Sequence, residues 1–128
     1  MVSIAFFWLR DILAGEEGRV RKFILRGKHA IESKDIFTCA NMISHSYRDK
    51  YGNDRSSLIY AAKEFFNYYS KVFINIEKMN IKLDDTKKQA DVEIAALMIG
   101  QTQQNSMEKI LEGEKGRGRI KLIKEENK

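Results

Sequence analysis

The order of periodicities along the chain predicts an α+β fold, helices first and antiparallel strands after. Three observations carry that reading. Up to about Tyr69, apolar residues recur at three- and four-residue spacings. From Val72 the apolar period drops to two. Polar or glycine-bearing breaks separate the segments, and the chain has no proline and so no rigid Pro-rich spacer. A chain of 128 residues suits one domain with one core. We divide it into a hydrophobic N-terminal segment, residues 1–15, and a domain spanning residues 16–128.

The first segment contains Val2-Ser3-Ile4-Ala5-Phe6-Phe7-Trp8-Leu9. It is far shorter than the ~20 apolar residues of a membrane span and lacks the basic leader of a secretory signal. Three readings stand: a short helix packed on the domain, an interfacial anchor, or the tail of a longer hydrophobic segment. Trp8 and Arg10 would suit a membrane interface, so membrane contact by residues 2–13 is the alternative to packing or partner contact.

A helix is expected from about Glu16 to Lys34, where Val20, Phe23, Ile24, Gly27, Ala30 and Ile31 share one face. Glu16 and Glu17 favour the positive end of its dipole. Asp35 can cap a short second helix with Ile36, Cys39, Ala40 and Ile43 as its stripe. The polar, aromatic stretch Ser44 to Arg55 interrupts the periodicity, and Gly52-Asn53 supplies a turn. Asp54 can cap a third helix. Its stripe of Leu58, Ala61, Ala62, Phe65, Phe66 and Tyr69 is the best amphipathic pattern in the chain.

The first strand of the sheet carries Val72, Ile74 and Ile76 on one face. A phase slip at Lys78, after which Met79, Ile81 and Leu83 continue the pattern, reads as a bulge or sharp bend. Asp84 to Lys88 reads as a turn. The next strand runs from Gln89 to about Gly100 with Ala90, Val92, Ile94, Ala96 and Met98 facing inward. Residues 101–109 read as a polar connection, and a last strand covers roughly Ile110 to Glu125 before a fraying tail. The strands should curl over Phe23, Phe65 and Phe66.

This order resembles the nuclear transport factor 2-like superfamily, the ketosteroid isomerase-like and SnoaL-like proteins. The matching pieces are a first helix ending in Ala30-Ile31-Glu32-Ser33-Lys34-Asp35, a short helix leading to Ile43-Ser44-His45-Ser46-Tyr47-Arg48-Asp49, and a third helix ending in Phe65-Phe66. A bent strand then pairs with Ala90-Asp91-Val92-Glu93-Ile94, and a later strand closes on Leu122-Ile123-Lys124-Glu125-Glu126-Asn127-Lys128. The resemblance covers about residues 16–128. It implies a cone of three helices held in a bent antiparallel sheet, with a hydrophobic cavity and often a homodimer formed through the sheet. In the superfamily the closing phrase usually precedes one more strand. Its absence here would leave an unpaired edge, open to another chain or covered by residues 1–14.

Fold does not give function. The superfamily holds isomerases, dehydratases and hydrolases alongside transport adaptors. In ketosteroid isomerase an aspartate base works with a tyrosine and a protonated aspartic acid in an apolar pocket. The catalytic candidates here are Tyr47, Asp49 and Glu93, none of which aligns with that triad. The inward strand face carries no acid, since Asp91 and Glu93 fall on the opposite one, and this favours binding over catalysis. Swapping the faces would make Glu93 the candidate base. For Ser44 to Arg55, turn and cap chemistry alone accounts for most of the residue types.

The expected ligand pocket is Phe23, Ile24, Tyr47, Tyr51, Phe65, Phe66, Tyr69 and Val92, suited to a small apolar ligand. Ala95, Leu97 and Ile99, with Phe73, form an apolar patch on the outer sheet face that fits a homodimer. Net charge is +5 with pI near 9.3. Lys115, Arg117, Arg119 and Lys121 could join Arg19, Arg21, Lys22 and Arg26 in a phosphate-binding surface. No aromatics interleave with them, so nucleic-acid binding is poorly supported. Cys39 reads as a small core hydrophobe. His29 and His45 lie at no metal-ligand spacing from it, so no metal site and no cofactor is called for. The expectation is a non-enzymatic binding domain in the cytoplasm.

Overall fold

A computed structural model describes residues 4–9, 17–84 and 89–124. The elements in order are β1 (Ile4–Leu9), α1 (Glu17–Glu32), α2 (Ile36–Met42), α3 (Arg55–Tyr68), β2 (Tyr69–Leu83), β3 (Gln89–Thr102), β4 (Met107–Leu111) and β5 (Arg117–Lys124). Helices precede a strongly bent antiparallel sheet of β2 to β5, as the change of period predicts.

The helices start and stop where the residue chemistry directs. Lys34 takes the left-handed conformation (φ 59°) that ends α1. The Asp35 carboxylate then accepts from the backbone N–H of Thr38 (3.1 Å) and caps α2. Asp54 does the same for α3 through the N–H of Ser57, at 2.8 Å. Helices α1 and α2 approach at Gly27, where a Cβ would sit 3.1 Å from Met42 Cε.

β3 organises the sheet. One of its edges pairs with β2 along the whole strand. Its other edge is shared end to end, with β5 opposite Gln89 to Ala95 and β4 opposite Met98 to Gln101. The predicted slip in β2 is a register shift between Ile76 and Lys78. Burial follows the sequence pattern on both sides of it, with Val72, Ile74 and Ile76, then Met79, Ile81 and Leu83, turned inward. The core joins Val20, Phe23 and Ile24 of α1 and Met42 of α2 to Ala90 and Val92 of β3 and Leu122 of β5.

Four expectations are corrected. Residues 4–9 form a strand rather than a short helix. They run parallel to β5, from Ile4 opposite Arg119 to Leu9 opposite Lys124, so the N-terminal segment takes the β5 edge that the resemblance left open. The single strand expected over 110–125 is two strands, and the "polar connection" contains the start of β4. Between them lies a 3-10 turn, Gly113–Gly116. There Gly116 meets β3 so closely that a Cβ would stand 2.1 Å from the Ala96 carbonyl oxygen. Helix α3, with the best amphipathic pattern, buries only Phe66 of its stripe, and Ala61 is exposed. Helix α1 already fills the inner face of the sheet, leaving α3 to pack on α2 and the first residues of β2. Cys39 is half-buried rather than core, and burial, with Asp35 beside it, pushes its thiol up. The expected helix start at Glu16, most of the turn at 84–88 and the tail beyond 124 lie outside the described residues.

Candidate functional site

The stretch between α2 and α3 folds around one carboxylate. Asp49 Oδ1 accepts from the backbone N–H groups of Tyr51 (2.9 Å) and Asn53 (3.0 Å). Its Oδ2 accepts from Asn53 Nδ2 (3.1 Å) and from the Tyr47 hydroxyl (3.0 Å). Gly52, at φ 86°, makes the tight turn that lets the backbone fold back on Asp49. Partial desolvation raises the Asp49 carboxyl, but the bonds from Asn53, Tyr51 and Tyr47 outweigh it and hold it below the usual carboxylate range. Burial, with Asp49 as hydrogen-bond and charge neighbour, pushes Tyr47 up to about 12. Tyr47 is 4% exposed and stays a neutral donor. A carboxylate with four donors on it and a depressed pKa is a weak base. Arg55 completes the joint by donating to the carbonyls of Ala40 (2.8 Å) and Ile43 (3.3 Å) at the end of α2.

The other catalytic candidate faces solvent. Glu93 lies on the outer sheet face and takes a 2.8 Å hydrogen bond from Arg119, which also lowers its pKa. Of the five residues assigned inward, Ala90, Val92 and Ala96 are buried and Ile94 packs on the core, while Met98 is half-buried like Ala95, Leu97 and Ile99; the swapped alternative does not hold at Glu93.

The eight residues named as a pocket divide into three groups. Phe23, Ile24 and Val92 are buried together in the core cluster. Phe65, Phe66 and Tyr69 form an aromatic ridge where α3 runs into β2, with centroids 5.9 Å apart for Phe65–Phe66 and 5.0 Å for Phe65–Tyr69. Tyr47 is locked in the joint, while Tyr51 is 61% exposed beside Lys50.

A group that sequence reading missed extends the ridge. Glu108 of β4 accepts from Tyr69 Oη at 2.9 Å and from Tyr68 Oη at 3.3 Å, one phenol on each carboxylate oxygen. The Tyr69 ring packs against Gly100, where a Cβ would come within 2.3 Å of Tyr69 Cδ1. Burial, with Glu108 as hydrogen-bond and charge neighbour, raises the Tyr69 phenol. The Tyr68-Tyr69 pair at the change of period was the available signal. Glu108 had none, because five residues of β4 are too few to show alternation.

The basic residues are largely compensated. Arg21 pairs with Glu17 (3.7 Å), Arg117 with Glu114 (3.5 Å) and Arg119 with Glu93. Arg26 lies over the Phe23 ring at 5.8 Å. Among the described residues, no group of acidic, histidine or cysteine side chains could hold a metal ion. Among the same residues, no helix is long and apolar enough to cross a membrane.

No family model matches the sequence, and no curated protein matches it either. Solved structures do. A nuclear transport factor 2-like superfamily protein from Salmonella enterica superposes at TM-score 0.62 with 10% identity, over 87% of this chain and 92% of that one. A protein from Novosphingobium aromaticivorans named as a scytalone dehydratase superposes at TM-score 0.63 with 9% identity, over 83% and 82%. One from Xanthomonas campestris, named as a calcium/calmodulin-dependent protein kinase II association domain, gives TM-score 0.59 and 9% identity, over 90% and 94%. The chain has the nuclear transport factor 2-like fold.

Proposed function

We propose that this protein is a non-enzymatic binding domain that takes a small apolar ligand or partner segment at the aromatic ridge where α3 runs into β2. The observation that carries the reading is the fate of the acids. Asp49 is consumed by its own loop, and Glu93 points away from the core onto Arg119. With Asp49 and Glu93 both engaged elsewhere, an apolar surface suits binding rather than proton abstraction by either acid. Residues 16–128 act as one domain, and residues 4–9 of the N-terminal segment pair with its sheet. The sheet pairing of residues 4–9 engages them within the domain and weighs against their serving as a membrane anchor; we place the protein in the cytoplasm on that reading.

The outer sheet face supports a homodimer. Phe73, 50% exposed, stands beside Ile99 in the β2–β3 register, and Asn75 stands beside Leu97. The Xanthomonas protein with this fold is named for an association domain. Light scattering at micromolar concentration tests the pair, and a monomer throughout would defeat it.

A thermal-shift screen against small apolar compounds tests the binding reading. A ligand at about one hundred times its Kd stabilises by ~2.7 kcal/mol. With about 2.1 cal/mol/K of unfolding entropy per residue, that raises the Tm of a chain this size by ~10 °C. A library that produces no shift argues against the pocket.

The second reading, an isomerase-, dehydratase- or hydrolase-type enzyme, is favoured by one observation. Glu108 is a carboxylate beside two phenols at the ridge, and a protein with this fold is named as a dehydratase. Turnover of a screened ligand that Glu108→Gln abolishes would establish it.

A further inference from the structure

We propose that Glu108, Tyr68 and Tyr69 form a recognition site for an organic cation, an alkylammonium group. This deepens the ligand-binding reading, with which it shares Tyr69 and the ridge.

Each phenol has one proton, and both protons are spent on the same carboxylate, at 2.9 and 3.3 Å. The cluster can then offer only acceptors: unused lone pairs on two phenolic oxygens and on Glu108, one negative charge, and the faces of the rings. Its complement is a positively charged, donor-rich group, attracted both to the carboxylate and to the π-faces.

The protein does not supply that group from among its described residues. Glu17, Glu32, Asp54, Glu93, Glu112 and Glu114 each pair with a lysine or arginine. Glu108 has no such partner within 4.0 Å among the described residues, although the chain carries 23 lysines and arginines. The adjacent Lys109 turns to Glu112 instead, at 3.3 Å. Asp35 and Asp49, also half-buried and without a cation among the described residues, are held by backbone N–H groups, whereas the hydrogen bonds to Glu108 come from two phenols.

The site is preorganised and open. The Tyr69 ring is held over the bare backbone of Gly100, with Phe65 at 5.0 Å and Tyr68 at 4.7 Å between centroids. Tyr68 crosses it nearly at right angles, with 54% of its surface exposed, and gives solvent access to the carboxylate. Little ordering cost remains for a ligand to meet.

The ammonium can come from a free amine or from a lysine of a second copy of the chain, and one experiment separates the two. The unmodified protein is titrated with n-butylammonium and with 1-butanol while backbone amide NMR shifts are followed. Saturable shifts at Tyr68, Tyr69 and Glu108 with the amine, absent with the alcohol, are expected. Glu108→Gln, which keeps the shape and removes the charge, should weaken binding by about tenfold or more. If instead free amine does not bind and Glu108→Gln converts a dimer to a monomer, the lysine of a second copy is the ligand and the proposal still stands.

Equal shifts with the alcohol overturn the proposal. So does an absence of amine binding together with an oligomeric state indifferent to Glu108→Gln. The butylammonium–butanol comparison needs no variant, so a misfolded mutant cannot decide it. An apolar compound that shifts Phe65 and Phe66 while the amine does nothing would refute this proposal and leave the ligand-binding reading intact.

Discussion

Gly100→Ala is the sharpest test of how the ridge is held. The new Cβ would lie 2.3 and 2.6 Å from Tyr69 Cδ1 and Cε1, and 2.8 Å from Ile110 Cδ1. The Tyr69 ring has little freedom to move aside. Its hydroxyl is bonded to Glu108, and Phe65 and Tyr68 pack against it. Overpacking of this kind costs about 1–3 kcal/mol. Replacing glycine by alanine within a strand returns about 0.5–1 kcal/mol through backbone entropy. Contacts this short put the penalty in the upper half of that range, so the net loss is about 1–2.5 kcal/mol, a fall in Tm of ~4–9 °C for a chain this size. Denaturant midpoints and calorimetry read it directly. A double-mutant cycle with Tyr69→Ala isolates the contact, since removing the ring should relieve about 1 kcal/mol of the penalty or more. An unchanged or raised Tm for Gly100→Ala would refute the placement of the ring.

Gly116→Ala should be worse, because the opposing atom is the backbone carbonyl oxygen of Ala96, at 2.1 Å from the new Cβ, and cannot rotate away; a loss of about 2 kcal/mol or more is expected by denaturant unfolding. Asp49→Ala should lower the unfolding midpoint and raise hydrogen exchange at Tyr51 and Asn53, whose N–H groups lose their acceptor. Asp49 and Asp54 have depressed folded-state pKa values. Their contribution is therefore fully present above the ordinary carboxylate range of about 4 and is lost as pH falls through the lower folded values. Acid unfolding of Asp49→Ala should be shallower below about pH 4 than that of the unmodified chain. Deleting residues 1–9 should uncover the β5 edge and produce concentration-dependent association visible by light scattering.

The residues alone determined a good deal. Asp35 and Asp54 announce their helices because a short carboxylate before an apolar stripe can satisfy free N–H groups locally. The bulge in β2 was legible because a one-residue slip reverses which face is apolar. The outward position of Glu93 followed from strict alternation along β3. These are short-range effects, written in neighbouring residues.

Tertiary structure decided the rest. Whether Ile4 to Leu9 becomes helix or strand depends on an open edge more than a hundred residues away, which no local pattern encodes. The division into β4 and β5 rests on Gly116 fitting against Ala96 across the sheet. Phe65, Phe66 and Tyr69 repeat as a core stripe, yet α1 takes the sheet's inner face first, so only Phe66 is buried and Phe65 and Tyr69 stay half-buried at the rim. Glu108 looks like one more polar residue in a connection. Only the fold sets it between two phenols with no cation of its own among the described residues, because a carboxylate's chemistry is decided by which groups long-range packing brings within hydrogen-bond reach.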